Sequence, residues 1–173
     1  MATNVAGVIE ERPPRLVFVY TYDVVRCVGA LIAAFSAFAG GIDINGKLVP
    51  LPLWEQIAGG VSSVAFAAAL IVIAALLARR EMWVRRAQLV LLALSAILIV
   101  VSVFPSTSSA ALAPLLIGAG AFLALDIAAI WSLTSDDAKR WYIAPGTTQR
   151  YMSACIVLWF AGSVALLFVE GFR

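Results

Sequence analysis

The chain has 173 residues, of which 63% are hydrophobic and 13% are charged, whereas soluble domains have roughly 45–50% apolar and 25% charged residues. This composition excludes an ordinary soluble domain and predicts an integral membrane protein. The net charge of +2 is too small to indicate a nucleic-acid partner, and the absence of histidine removes the commonest ligand for zinc, copper and haem iron.

The first apolar segment follows a polar tail of residues 1–15 and opens a single transmembrane domain over residues 16–173. Its apolar run, about residues 17–40, predicts a membrane-spanning helix because about twenty such residues cross the hydrocarbon core. Asp23 and Arg26 share one face of this helix and can pair. Small residues at every fourth position predict a stripe for close helix packing: Gly29, Ala33, Ala37 and Gly41.

The connection over residues 42–53 contains the turn signal Asn45-Gly46 between apolar residues, which is typical of a short hairpin or an ordered loop. A second spanning helix is predicted over about residues 54–77. It carries a packing stripe of its own, formed by Gly59, Ser63 and Ala67.

Four arginines mark the turn between the second and third segments, within residues 78–87. They are Arg79, Arg80, Arg85 and Arg86. Because arginine is unfavourable in hydrocarbon and positive loops stay in the cytoplasm, this turn fixes the orientation of the chain. The third spanning helix is predicted over about residues 87–104.

The fourth and fifth spanning helices are predicted over about residues 110–133 and 151–169. The fourth contains one carboxylate, Asp126, and a third stripe formed by Gly120, Ala124 and Ala128. The loop between them is long, and its aromatic residues predict an interfacial group: Trp141, Tyr142 and Tyr151.

Together these segments predict an all-α bundle of five transmembrane helices. An odd number of spans places the ends on opposite sides, and the positive charges favour a cytoplasmic N-terminus with the C-terminus outside. The cytoplasmic cations are then Arg12, Arg15, Arg79, Arg80, Arg85, Arg86, Lys139, Arg140 and Arg150. Only Lys47 and Arg173 lie outside in this arrangement.

Asp126 is the most informative polar residue, since it lies about seven residues, or about 10 Å, from the cytoplasmic end of its segment. A carboxylate at that depth becomes neutral or finds a partner. We expect it to pair with Arg26, with Asp23 as a competitor. The pair is interpreted first as a packing clip and second as an ion or proton site. Alternatively, if the first helix starts near Tyr22, Arg26 extends to the surface.

The three stripes are interpreted first as packing faces within the bundle, with a partner subunit as the alternative for one of them. Trp159, near the middle of the fifth segment, is left open between lipid, a partner and a bound hydrophobic molecule such as a lipid, quinone or carotenoid. No cofactor is otherwise predicted.

No catalytic constellation is evident in the sequence. It contains no nucleophile–base pair, Gly-rich phosphate loop or metal-ligand spacing, and its two cysteines, Cys27 and Cys155, lie far apart in apolar runs. Neither a catalytic residue nor a metal ligand is therefore assigned, and the chain is not expected to be an enzyme.

Two stretches carry a family resemblance: residues 78–87 with the apolar span that follows, and residues 123–142, which end in Leu133-Thr134, Lys139 and an aromatic pair. They resemble small uncharacterised prokaryotic four-helix membrane proteins, over about a third of the chain. This chain departs from them by adding a fifth segment. The resemblance implies a bacterial cytoplasmic (inner) membrane and no activity.

The sequence therefore predicts a non-catalytic accessory or scaffold subunit of a larger membrane complex, in contact with the lipid bilayer and other membrane subunits. The alternative is a component of a small-molecule or ion transporter, with a polar site at Arg26 and Asp126.

Overall fold

The computed structural model of the chain describes residues 13–44, 47–50, 52–76, 80–103, 109–147 and 149–171. Its six helices are α1 (Pro14–Phe38), α2 (Leu53–Leu76), α3 (Met82–Val103), α4 (Ser109–Thr134), α5 (Asp136–Trp141) and α6 (Arg150–Gly171). Two short strands, β1 (Gly41–Ile44) and β2 (Lys47–Pro50), lie between α1 and α2.

Five of these helices, all but α5, are long and apolar enough to cross a bilayer, which gives the chain the character of a multi-pass membrane protein. α1 has 25 residues and therefore extends about 38 Å, compared with a hydrocarbon core of about 30 Å. The five predicted spans are thus confirmed by length and composition. Pro14 begins α1 without disrupting it, because the first amides of a helix have no partner within the helix.

The turn between α2 and α3 is shorter than the sequence suggested. α3 begins at Met82, so Arg85 and Arg86 lie on its first turns and not in the loop. Long arginine side chains tolerate this position because their charged ends can reach past the helix end. Arg80 has a φ of 56°, in the left-handed region that lets a chain reverse direction within few residues.

The connection between α1 and α2 contains the hairpin that the sequence allowed. β1 and β2 pair antiparallel, and Ile44 lies opposite Lys47. This register leaves the predicted turn, Asn45-Gly46, between the strands, and those two residues lie outside the described part of the chain. Gly40, with a φ of 89°, precedes the hairpin and supplies the left-handed conformation that ends a helix.

α2 is the central helix of the bundle, with α1 on one side and α6 on the other. The approach to α6 is close because Gly162 faces α2: a β-carbon at position 162 would lie 2.7 Å from Ser62 Cβ and 3.3 Å from the Ala58 carbonyl oxygen. α3 packs against α4, and the contacts α1–α4 and α3–α6 join the two groups.

The predicted packing stripe of α1 differs in phase from the observed one. Gly29 and Ala33 are exposed, whereas Ala37, a member of the predicted stripe, is buried together with Ala30 and Ala34. The reason is that Arg26 is buried, and positions four, eight and eleven residues later lie on the same helix face. Gly41, the last member of the predicted stripe, begins β1.

The predicted stripe of α2 packs within the bundle, whereas that of α4 is largely exposed. On α2, Ala67 is buried, Ser63 is half-buried, and a β-carbon at Gly59 would lie 3.5 Å from Ala37 Cβ, so this stripe packs within the bundle. On α4, Gly120 and Ala124 are exposed and Ala128 is half-buried. A β-carbon at Gly120 would have nothing within 4 Å.

Candidate functional site

A cluster of five buried polar side chains lies where α1, α3 and α4 meet. We call it the polar cluster; its members are Tyr22, Asp23, Arg26, Gln88 and Asp126. None of the five is more than 8% exposed, and Asp126 is fully buried. Asp126 lies eight residues before the end of α4 at Thr134, or about 12 Å along the helix axis.

The predicted pair between Arg26 and Asp126 is present, and Asp23 shares the same guanidinium. Arg26 Nη1 lies 3.7 Å from Asp126 Oδ1 and 3.9 Å from Asp23 Oδ1. These are ion-pair distances but are too long for direct hydrogen bonds. The guanidinium therefore balances charge between two carboxylates without a bidentate bond to either one.

Two hydrogen bonds between helices complete the cluster. Tyr22 Oη donates to Asp126 Oδ1 at 2.8 Å and joins α1 to α4. Gln88 Nε2 donates to Asp23 Oδ2 and joins α3 to α1. The cluster thus connects three helices through charged or charge-assisted contacts, which are roughly twice as strong as neutral hydrogen bonds.

Aromatic rings border the guanidinium. The Arg26 carbon Cζ lies 4.9 Å from the ring centre of Phe66 on α2 and 5.3 Å from that of Tyr22. Trp159 on α6 stacks on Phe66, with ring centres 4.5 Å apart and an angle of 22° between the planes. Trp159 is therefore buried inside the bundle, where it supports the ring beneath Arg26, and it does not face lipid.

Several polar atoms of the cluster have no hydrogen-bond partner among the described residues: Asp23 Oδ1, Arg26 Nη1, Arg26 Nη2, Gln88 Oε1 and Asp126 Oδ2. Buried polar atoms without partners are rare and unfavourable, by about 1–3 kcal/mol each. The site therefore has unused donors and acceptors together with more acidic than basic groups.

Comparison with known protein families, with curated proteins and with solved structures finds no match to this chain. Within the described ranges, no group of three or more cysteine, aspartate and glutamate side chains is arranged to hold a metal ion.

The sequence identified three of the five members of the polar cluster. It named Tyr22 only as a residue near the start of the first helix, but the structure buries the ring, and the hydroxyl donates to Asp126. It gave no role to Gln88, which is 65 positions from its partner Asp23. The one feature of the sequence that could have indicated Gln88 is its polar amide within the apolar run of the third span.

The predicted topology arginines have different surroundings. Arg79 lies outside the described residues, and Arg86 and Arg150 are exposed. Arg85 Nε donates to the Leu133 carbonyl oxygen at 2.8 Å, which ties α3 to α4 between the polar cluster and the helix end. The Arg80 guanidinium carbon lies 3.8 Å from the centre of a Trp141 ring.

The α2–α3 turn and the loop after α5 are joined in what we call the loop cap, residues 80–83 with 141–146. Met82 N donates to the Ala144 carbonyl oxygen and Ala144 N donates to the Arg80 carbonyl oxygen, each at 3.1 Å. Trp83, buried here, donates its indole N–H to Glu81. Trp141 and Tyr142, predicted as interfacial residues, are also buried, whereas Tyr151 is half exposed.

α5 is a short helix with favourable charges at both ends. Ser135 is its N-cap, Asp136 and Asp137 lie in its first turn, and Lys139 and Arg140 lie in its last. Lys139 Nζ donates to Asp136 Oδ1 at 2.8 Å, and this hydrogen bond lowers the pKa of the Asp136 carboxyl. Because both side chains are exposed, the pair contributes little to stability.

We expect Gly146→Ala to loosen the loop cap and destabilise the protein by about 1–3 kcal/mol. A β-carbon at position 146 would lie 2.6 Å from Glu81 Oε2 and 2.8 Å from the buried Trp83 ring. The measurement is the thermal unfolding midpoint in detergent, together with tryptophan fluorescence. Gly118→Ala is the control, because nothing lies within 4 Å of its added methyl group. Equal midpoints for the two variants would contradict the prediction.

Proposed function

We propose that this chain is a non-catalytic accessory or scaffold subunit of a larger complex in the bacterial inner membrane, with a cytoplasmic N-terminus. The observation that carries the proposal is the outward direction of two small-residue stripes. Gly29 and Ala33 on α1, and Gly120 and Ala124 on α4, are exposed on the bundle surface.

Small residues on a membrane helix let another helix backbone approach closely. Among the described residues, no atom lies within 4 Å of a β-carbon added at Gly29 or Gly120, so these two positions are open on the bundle surface. Gly120 also lines an apolar groove of about 260 Å³ between α3 and α4, together with Ile99, Val100, Val103, Leu116, Ala119 and Leu123. A groove beside a small-residue stripe suits a helix from a neighbouring subunit.

The proposed orientation rests on where the cations lie. The α2–α3 turn and the α5–α6 loop are hydrogen-bonded to each other in the loop cap, so they occupy the same end of the bundle. Arg80, Arg85 and Arg86 border the turn, and Lys139, Arg140 and Arg150 border the loop. Cytoplasmic loops carry such an excess of lysine and arginine, which supports a cytoplasmic assignment for this end.

The test is native mass spectrometry of the tagged full chain extracted from its own membranes in mild detergent. We expect a complex with a fixed number of partner subunits, and we expect Gly120→Leu to lose the partner while the chain stays folded. The matched control is Ile117→Leu, which changes an exposed residue of the same helix without adding bulk to the stripe. Recovery of the bare chain in every detergent, or full partner retention by Gly120→Leu, would refute the proposal.

A second candidate function, a component of an ion or small-molecule transporter, is favoured by the polar cluster. Buried ionisable groups in membrane helices often mark ion or proton pathways. Asp126→Asn separates the two candidates. A transporter component should lose uptake while its complex stays assembled, whereas a scaffold should keep the activity of its complex and lose only stability.

A further inference from the structure

The ionisable groups of the polar cluster do not balance. Asp23 and Asp126 would contribute two negative charges and Arg26 one positive charge, so the fully ionised cluster would have an excess of one negative charge. All three side chains are at most 8% exposed. An uncompensated charge at such a site is costly by several kcal/mol, even after relaxation of the surroundings.

No other described residue supplies the missing positive charge. On α3, Gln88 is neutral, and Arg85 donates its Nε to the Leu133 carbonyl oxygen. α2 presents the Phe66 ring and the Ala67 carbonyl oxygen, which accepts from the Cys27 thiol at 3.8 Å. α6 contributes Trp159 behind Phe66. The remaining titratable neighbour, Tyr22, uses its proton to donate to Asp126.

We propose that the polar cluster is a binding site for one proton, shared between Asp23 and Asp126. Asp23 and Asp126 each have an oxygen within 4 Å of Arg26 Nη1. Two carboxyl groups that share one cation hold a proton as a coupled pair, and this proton makes the cluster electrically neutral. The oxygens free to receive it are Asp23 Oδ1 and Asp126 Oδ2, which have no hydrogen-bond partner among the described residues.

A proton fits this site better than a metal cation. Na⁺, Mg²⁺ and Ca²⁺ require several oxygen ligands, and the uncommitted acceptors of the cluster are only Asp23 Oδ1, Gln88 Oε1 and Asp126 Oδ2. The Arg26 guanidinium is close to both carboxylates and would repel a metal ion between them. A proton needs one oxygen to bind and one acceptor for its hydrogen bond, and Gln88 Oε1 is an oxygen of the cluster without a donor.

The charge count predicts how many protons the cluster holds in the unsubstituted chain, in the two asparagine variants and in Arg26→Gln. The unsubstituted cluster holds one proton. Asp23→Asn or Asp126→Asn leaves one carboxylate with one guanidinium, so neither variant needs a proton. Arg26→Gln leaves two carboxyl groups without a cation, so this variant holds two. The inference does not depend on either proposed function, because a scaffold and a transporter component would both hold this proton.

The experiment is infrared spectroscopy of the full chain in lipid nanodiscs at neutral pH, which detects the carbonyl band of a protonated carboxyl group by its shift in D₂O. We expect the band in the unsubstituted chain, its loss in Asp23→Asn and in Asp126→Asn, and about twice its intensity in Arg26→Gln. Circular dichroism confirms that each variant is folded. If Arg26→Gln does not fold, the two asparagine variants still decide the result.

Two control variants distinguish the infrared band of the polar cluster from bands of other carboxyl groups. Glu55→Gln removes the third buried carboxyl group of the described residues, and the difference between the unsubstituted chain and Asp126→Asn must persist in its background. Asp136→Asn removes an exposed, ion-paired carboxylate and must leave the band unchanged. A spectrum without the band, a band that Asp126→Asn retains, or a band that appears only when Na⁺ is removed would overturn the proposal.

Discussion

Arg26→Gln is expected to destabilise the folded bundle by about 3–5 kcal/mol, because it removes the cation of a buried ion pair, and both carboxyl groups must then bind protons to remain buried. The loss is large since Arg26 is the sole cation within 4 Å of either carboxylate among the described residues. The measurement is the free energy of unfolding by denaturant titration in mixed micelles, followed by circular dichroism.

The matched control for Arg26→Gln is Arg86→Gln, which makes the same chemical change at an exposed position of α3. We expect this control to stay within about 0.5 kcal/mol of the unsubstituted chain. The loss of stability in Asp126→Asn should lie between those of Arg26→Gln and Arg86→Gln. This variant keeps Asp23 paired with Arg26, and its amide oxygen can accept a hydrogen bond from Tyr22. Equal stabilities for Arg26→Gln and Arg86→Gln would show that the cluster does not hold the helices together.

Gly162→Ala is expected to separate α6 from α2 and to destabilise the protein by about 1–3 kcal/mol. The added methyl group would lie 2.7 Å from Ser62 Cβ and 3.3 Å from the Ala58 backbone oxygen. Neither atom belongs to the end of a flexible side chain, so the helices themselves must move. The increase in tryptophan quenching by a lipid-soluble quencher, relative to the unsubstituted chain, measures the displacement. The other four tryptophans are common to both chains, and the Trp159 ring is 8% exposed while α6 is docked.

Gly120→Ala is the control for Gly162→Ala, because its methyl group meets no atom within 4 Å. It should be neutral, or stabilising by up to about 1 kcal/mol through its higher helix propensity. Ser62→Gly in the Gly162→Ala background removes the atom that the new methyl group meets first and should restore part of the loss. No recovery in the double variant, together with unchanged quenching in the single one, would exclude close packing at this crossing.

The spans could be predicted from the sequence because each one is an apolar run bounded by charges, glycine or proline. The start of α3 could not be placed from hydropathy, since Arg85 and Arg86 look like loop residues until the bond from Arg85 to Leu133 is known. Between α1 and α2 the sequence was typical of either a hairpin or an ordered loop, and the pairing of Ile44 with Lys47 shows that a hairpin forms.

For the packing stripes, the sequence predicted small residues on α1 but not which of them lie on its buried face. Small residues of α1 recur every fourth position at Gly29, Ala33 and Ala37, and one position later at Ala30 and Ala34. The buried face that contains Arg26 takes Ala30 and Ala34 from the second line and Ala37 from the first, a choice that residue spacing alone does not predict. Gln88 was missed for a related reason, because its partner Asp23 lies on another helix and no local pattern connects them.

The position of α6 has a consequence for biosynthesis. Every member of the polar cluster precedes residue 127, so all five are synthesised before α6 begins at Arg150. The acidic pair and its arginine can therefore meet while the ribosome is still extending the chain, before Trp159 arrives behind Phe66. We therefore expect α6 to dock last, against contacts that the preceding spans have formed.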